Sequence, residues 1–191
     1  MDADRVRAEL LALAGLATTT AGQADQLVVI ARRYRETLRG GGTLFFAGNG
    51  GSAASAQHIA AEYMVRYRRD RRPLAAIALT GDSSVLTATG NDLGFEQVFA
   101  RQVEAISRPG DLLILHSTSG RSPNLLAAAR MARAKGVPVV AFLGQGGGEL
   151  AGLADHAFVV GSDDRGRIQE LQLAVEHIIA GLVEDEDGAG G

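Results

Sequence analysis

The chain has 191 residues, of which 46% are hydrophobic and 21% charged, and its formal net charge is -3. That length fits one domain with a real core, and the balance excludes a disordered chain and gives no electrostatic basis for nucleic-acid binding. The sequence has no cysteine, which excludes disulfides, thiolate nucleophiles and cysteine-held metals, so any metal must use histidine, carboxylate or amide ligands.

Asp2, Asp4 and Glu9 interrupt the apolar residues at the start of the chain, unlike a signal peptide. No run approaches the roughly 18 apolar residues of a membrane helix, so the expectation is a cytoplasmic protein without membrane contact. Residues 24–39 read as an amphipathic helix, and one or two extra helices are expected at the N-terminus. The run at 44–47 has strand length and is followed by Gly48-Asn49-Gly50-Gly51-Ser52 and a helix over 53–66. Glycines at such a strand-to-helix turn let backbone N–H groups approach an anion, with the Ser52 hydroxyl added; a tight turn with an N-cap serine is the plainer alternative. Without a lysine, it is neither a Walker loop nor the dinucleotide fingerprint.

In the 53–66 helix, His58 and Glu62 sit four residues apart and share a face, where they can bind one metal or serve one substrate. A surface pair is the alternative, but the neighbours Ile59, Ala60, Ala61, Met64 and Val65 favour a buried one. Arg66, Arg68, Arg69, Arg71 and Arg72 then form a basic run, read as a solvated loop or a subunit contact, with a phosphate funnel or a nucleic-acid site as the sharper option. A second strand is expected over 74–79, and Gly90 to Phe95 has the composition of a turn.

The third run, 112–115, leads into His116-Ser117-Thr118-Ser119-Gly120-Arg121-Ser122 and a helix over 122–135. So many hydroxyl groups at a helix N-terminus exceed what a cap needs and suit a phosphate dianion, although a plain serine-rich loop stays open. His116 reads as a packed strand-end residue rather than a catalyst. Strands at 137–143 and 157–160 follow, then a helix over 167–186 that carries Gln169 and His177 in a core-like apolar pattern. Eight residues span about 12 Å of rise and roughly 80° of turn, so both reach one ion only if it lies between them. A simply hydrogen-bonded core histidine is the alternative for His177. The segment 184–191, acidic and then Gly-Ala-Gly-Gly, reads as a disordered tail of a single domain spanning 1–191. Apolar strands alternating with helices give an α/β class: a doubly wound, mostly parallel five-stranded sheet flanked by helices, with chemistry expected beyond the strand C-termini.

Taken together, FAGNGGSAASAQHIAAE, LTATGNDLGFEQVFARQVEA, HSTSGRSPN and RIQELQLAVEH closely resemble, in order and spacing, the phosphoheptose isomerases of the sugar isomerase (SIS) domain superfamily. The resemblance spans nearly the whole chain. It implies isomerisation of sedoheptulose 7-phosphate to D-glycero-D-manno-heptose 7-phosphate by a cytoplasmic, zinc-dependent homotetramer with active sites shared between subunits. It places the phosphate on Ser52, Ser117, Thr118, Ser119 and Ser122, and other substrate contacts on Asn49, Gly50, Gly51, Asn91 and Asp92. It makes His58, Glu62, Gln169 and His177 the zinc ligands, Glu62 and Gln169 sugar contacts, and Glu62 and His177 the acid–base pair. The chain departs from the pattern at Gly166 and Ser55, where acidic residues are frequent, so Asp163 or Asp164 would have to supply any auxiliary proton role. The alternative is a non-catalytic SIS protein, either one that associates with the replication initiator, as a relative in the superfamily does, or a phosphosugar-sensing module.

Overall fold

Each of the five apolar runs forms a strand, and all five strands join one parallel sheet. The computed structural model describes residues 2–187. In chain order the strands are β1 (Leu44–Gly48), β2 (Ala76–Ala78), β3 (Leu112–Ser117), β4 (Val139–Leu143) and β5 (His156–Val159), arranged β2-β1-β3-β4-β5. The helices are α1 (Ala3–Thr20), α2 (Ala24–Arg39), α3 (Gly51–Met64), α4 (Ser83–Asp92), α5 (Ala100–Ile106), α6 (Pro123–Ala134), α7 (Gly148–Ala151) and α8 (Arg165–Asp187). Among the described residues no helix is long and apolar enough to cross a membrane.

Every residue of β1, β3 and β4 is buried, which is why those runs are apolar without alternation. Phe46, Ile114 and Phe142 face one core layer with α2, α3 and α8, while Phe45, Leu113 and Leu115 face the other with α5 and α6. Tyr34, Phe46 and Tyr63 meet in the first layer with ring centroids 6.0–6.2 Å apart. Gly48 pairs with His116 and His116 with Phe142, so β1 and β3 end level and release their loops side by side. The strand order reverses between these two strands, the usual place for a ligand in such a sheet.

Three sequence expectations need correction. Gly90, Asn91 and Asp92 belong to α4, whose N-terminus is capped by the Asp82 carboxylate accepting from the Val85 N–H at 3.0 Å. The Ser-, Thr- and Gly-rich sequence hides a helix whose apolar stripe is weak, because only Thr89 in it is buried. Residues 184–187 continue α8 rather than fraying, and Glu184 is only 3% exposed. Residues 188–191 of the expected tail lie outside the described residues. The basic run is not uniformly solvated, since the Arg71 side chain is 10% exposed and paired with Glu184 at 3.1 Å.

Candidate active site

The two glycine- and serine-rich loops meet over the sheet. Asn49, Ser52, His116, Ser117, Thr118, Ser119, Ser122 and Gln169 line one small polar pocket there. Ser52 is the second residue of α3 and is 4% exposed. Ser122 precedes Pro123, the first residue of α6, and makes no side-chain capping bond, which leaves its hydroxyl for a ligand. The Ser117 hydroxyl accepts from the Gly120 N–H at 3.0 Å, holding the loop in a tight turn. Gly120 is obligatory in that turn: φ is +63°, and a Cβ would stand 1.8 Å from the Gly147 carbonyl oxygen. Both helix N-termini and these neutral hydroxyls favour an anion without a lysine.

Sequence reasoning passed over the part that locks the loops together. Asn49 and Asn124 exchange amide hydrogen bonds, Asn49 Nδ2 to Asn124 Oδ1 at 2.9 Å and Asn124 Nδ2 to Asn49 Oδ1 at 2.8 Å. Gln169 reaches in from α8 above Gly51, where a Cβ would come within 2.6 Å of its Oε1. This close approach explains the glycine. Gly50 and Gly51 are exposed at the pocket edge, whereas Asn91 and Asp92 are exposed at the end of α4, bonded to each other at 2.7 Å, and do not line the pocket.

A second cluster lies where α3 passes α8. His58, Glu62 and His177 each offer a ligand atom, all within 4.8 Å of one another. His58 Nε2 stands 2.9 Å from His177 Nε2 and 3.4 Å from Glu62 Oε1. Ligand atoms on a tetrahedral zinc with bonds of about 2.0–2.1 Å are separated by about 3.3 Å, so the donor set suits such an ion. The pair is more open than its neighbours suggested, with side-chain exposures of 49% for His58 and 19% for Glu62, because Met64 and Val65 also face outward. Burial lowers the His177 pKa, and His58 and Arg68 push it the same way against Glu62 and Glu176. A neutral imidazole is the form that a metal or a proton acceptor requires. The His177 ring is edge-on to His58 and stacked on Tyr67 at 5.4 Å with an interplanar angle of 12°.

Beneath the pocket, His116 is 1% exposed and stacks between Phe46 and Phe142. Glu176 bonds His116 Nε2 at 2.9 Å and accepts from the Tyr34 hydroxyl at 2.8 Å. His116 is therefore a packed strand-end residue, as the sequence suggests. Burial, reinforced by Glu176, raises the Tyr34 pKa and keeps its phenol protonated. At the start of α8 the Asp164 carboxylate accepts from the Gly166 N–H at 2.8 Å, and the Ser55 hydroxyl donates back to the Gly51 carbonyl at 3.3 Å.

The SIS domain family model matches residues 12–144. The chain belongs to that family. Among curated relatives, the phosphoheptose isomerase of Roseiflexus sp. (strain RS-1) is 53% identical over 162 residues, 85% of this chain and 82% of that protein. The phosphoheptose isomerase of Akkermansia muciniphila is 46% identical over 181 residues, 95% of this chain and 96% of its own. The solved phosphoheptose isomerase of Francisella tularensis superposes with a TM-score of 0.93 at 32% identity, covering 97% of this chain and 100% of that one. The similarity thus spans both loops and α8.

Proposed function

We propose that the protein is a phosphoheptose isomerase converting sedoheptulose 7-phosphate to D-glycero-D-manno-heptose 7-phosphate through a cis-enediol. The observation that carries this reading is the convergence of Glu62 and His177 from α3 and α8, the two helices that also bring Ser52 and Gln169 into the serine-lined pocket. Ser52, Ser117, Thr118, Ser119 and Ser122 bind the phosphate, and that remote binding energy positions the reacting carbons. Glu62 removes the proton from the carbon beside the carbonyl. His177 serves the oxygen side, giving or taking the hydroxyl proton, and the pair exchange roles in reverse.

His58, Glu62 and His177, with Gln169 from the pocket side, are the residues that would hold a zinc ion. When bound, zinc supplies Lewis-acid polarisation of the substrate carbonyl. A carboxylate has two oxygens and an imidazole two ring nitrogens, so Glu62 and His177 can each ligate through one atom and move a proton with the other. Asn49, Gly50 and Gly51 contact the sugar chain. Asn91 and Asp92 do so from a neighbouring subunit in a homotetramer with shared sites, in a cytoplasmic setting. Support for shared sites comes from the exposed Met64 and Val65 next to the cluster, and from Val6, Leu10 and Leu11, each at least 60% exposed on α1.

A non-catalytic phosphosugar binder would need the serine pocket but not the acid–base pair, and this chain has both. Glu62→Gln separates the two readings. In the isomerase it abolishes turnover while phosphosugar binding, read by calorimetry, changes little. Unaltered turnover in that variant would remove Glu62 from the reaction.

A further inference from the structure

The basic run after α3 and the acidic end of α8 pack on each other. The Glu184 carboxylate accepts from three successive N–H groups, of Tyr67 at 3.1 Å, Arg68 at 2.8 Å and Arg69 at 3.1 Å, and from Arg71 Nε at 3.1 Å. Burial would raise its pKa, but those amides and the Arg71 charge outweigh it and hold the carboxyl below the ordinary glutamate range. Arg71 in turn donates to the carbonyl oxygens of Glu62 at 2.6 Å and Tyr63 at 2.9 Å. Both carbonyls lie in the last turn of α3, where no further helical N–H follows to bond them, and that of Tyr63 also accepts from the Leu74 N–H at 3.1 Å.

One ion pair therefore joins the end of the helix bearing His58 and Glu62 to the helix bearing His177. Glu184 lies two turns beyond His177 on the same face of α8, about 10 Å along its axis. Tyr67 bridges that interval. Its backbone is bonded to Glu184, its ring passes over Gly181, where a Cβ would sit 3.6 Å from Tyr67 Cε1, and it ends stacked on His177. Arg68 adds a guanidinium 4.8 Å from the Tyr67 ring centroid and donates to its hydroxyl at 3.2 Å.

We propose that Glu184 and Arg71 form a clamp that seats Tyr67 against the His177 ring, making Tyr67 a positioning residue for the His58–Glu62–His177 cluster. The proposal rests on the metal-assisted reading given above. A stacked ring fixes the plane of His177 and so the direction of its Nε2 lone pair, the part that an outer-shell partner plays at a metal site. Such partners are worth about 10- to 100-fold in metal affinity.

The test uses the full chain with 13C-labelled histidine, comparing wild type, Tyr67→Phe, Tyr67→Leu and Glu184→Gln. In metal-free protein, Tyr67→Leu shifts the His177 ring resonances downfield as the stacked ring's shielding is lost, and Tyr67→Phe restores them. Titration with Co2+, followed by its visible absorption, gives a dissociation constant about tenfold higher or more in Tyr67→Leu and unchanged in Tyr67→Phe. Glu184→Gln moves both readouts in the direction of Tyr67→Leu. Resonances of His177 that stay in place in Tyr67→Leu, or a Co2+ affinity equal to wild type, would overturn the proposal. Wild-type protein that takes up no Co2+ would refute the metal reading instead. The metal-free spectra would then decide the seating of His177 alone, with movement and Phe rescue supporting it and no movement overturning it.

Discussion

Replacing Glu176 by leucine would strike the buried network under the pocket without touching the residues placed on the substrate. The carboxylate serves two buried partners, the Tyr34 hydroxyl at 2.8 Å and His116 Nε2 at 2.9 Å. Each buried group left without a partner costs about 1–3 kcal/mol, so the two together cost about 2–6 kcal/mol. In urea, with a slope of about 2 kcal/mol/M, the midpoint falls by about 1–3 M at fixed protein concentration. Glu176→Gln keeps one acceptor oxygen and loses about half as much. Adding Tyr34→Phe to Glu176→Leu removes one stranded hydroxyl, so that step becomes neutral or favourable, whereas Tyr34→Phe alone costs about 1 kcal/mol. A midpoint shift below about 0.5 M for Glu176→Leu, or strict additivity of the pair, would refute the reasoning.

Two further outcomes follow from the same geometry. Ser119→Ala and Ser122→Ala each remove a hydroxyl lining the polar pocket proposed to take the phosphate, worth about 1.5–3 kcal/mol to a charged group, so KM for the phosphosugar rises about 10- to 150-fold while folding, read by thermal melting, is unchanged. Glu184 has a depressed folded pKa, so its stabilisation is complete above the unfolded glutamate value and is lost as pH falls through the folded one. Glu184→Gln is accordingly less stable than wild type at neutral pH, and the gap narrows in acid; a gap constant from pH 7 to pH 3 would contradict the assignment.

The parts legible in the sequence are those set by short-range pattern. Continuous apolar runs read as buried parallel strands because both faces of β1, β3 and β4 are covered, and the glycine and serine loops stand out because their composition is local, and they do meet in one polar pocket. What escaped depends on partners distant in the chain. Glu184 looks like a tail residue until the amides of residues 67–69 fold onto it, and Arg71 looks solvated until the end of α3 supplies two carbonyls. Asn124 shows its purpose only opposite Asn49, 75 residues away. The α4 helix escaped for a different reason, since a mostly exposed helix rich in Ser, Thr and Gly lacks the apolar stripe that marks the others. The rise between Gln169 and His177 had raised the question of one shared ion. Gln169 lines the serine pocket and His177 meets His58 and Glu62, so the shared ion proposed above is one that pocket and cluster would hold between them.

The most direct test of the account is NMR of the purified protein with sedoheptulose 7-phosphate in D2O, with added zinc and with a chelator. The account predicts zinc-dependent formation of the aldose with deuterium on the carbon beside the carbonyl. Bound phosphosugar with neither product nor exchange would contradict it and leave a binding protein.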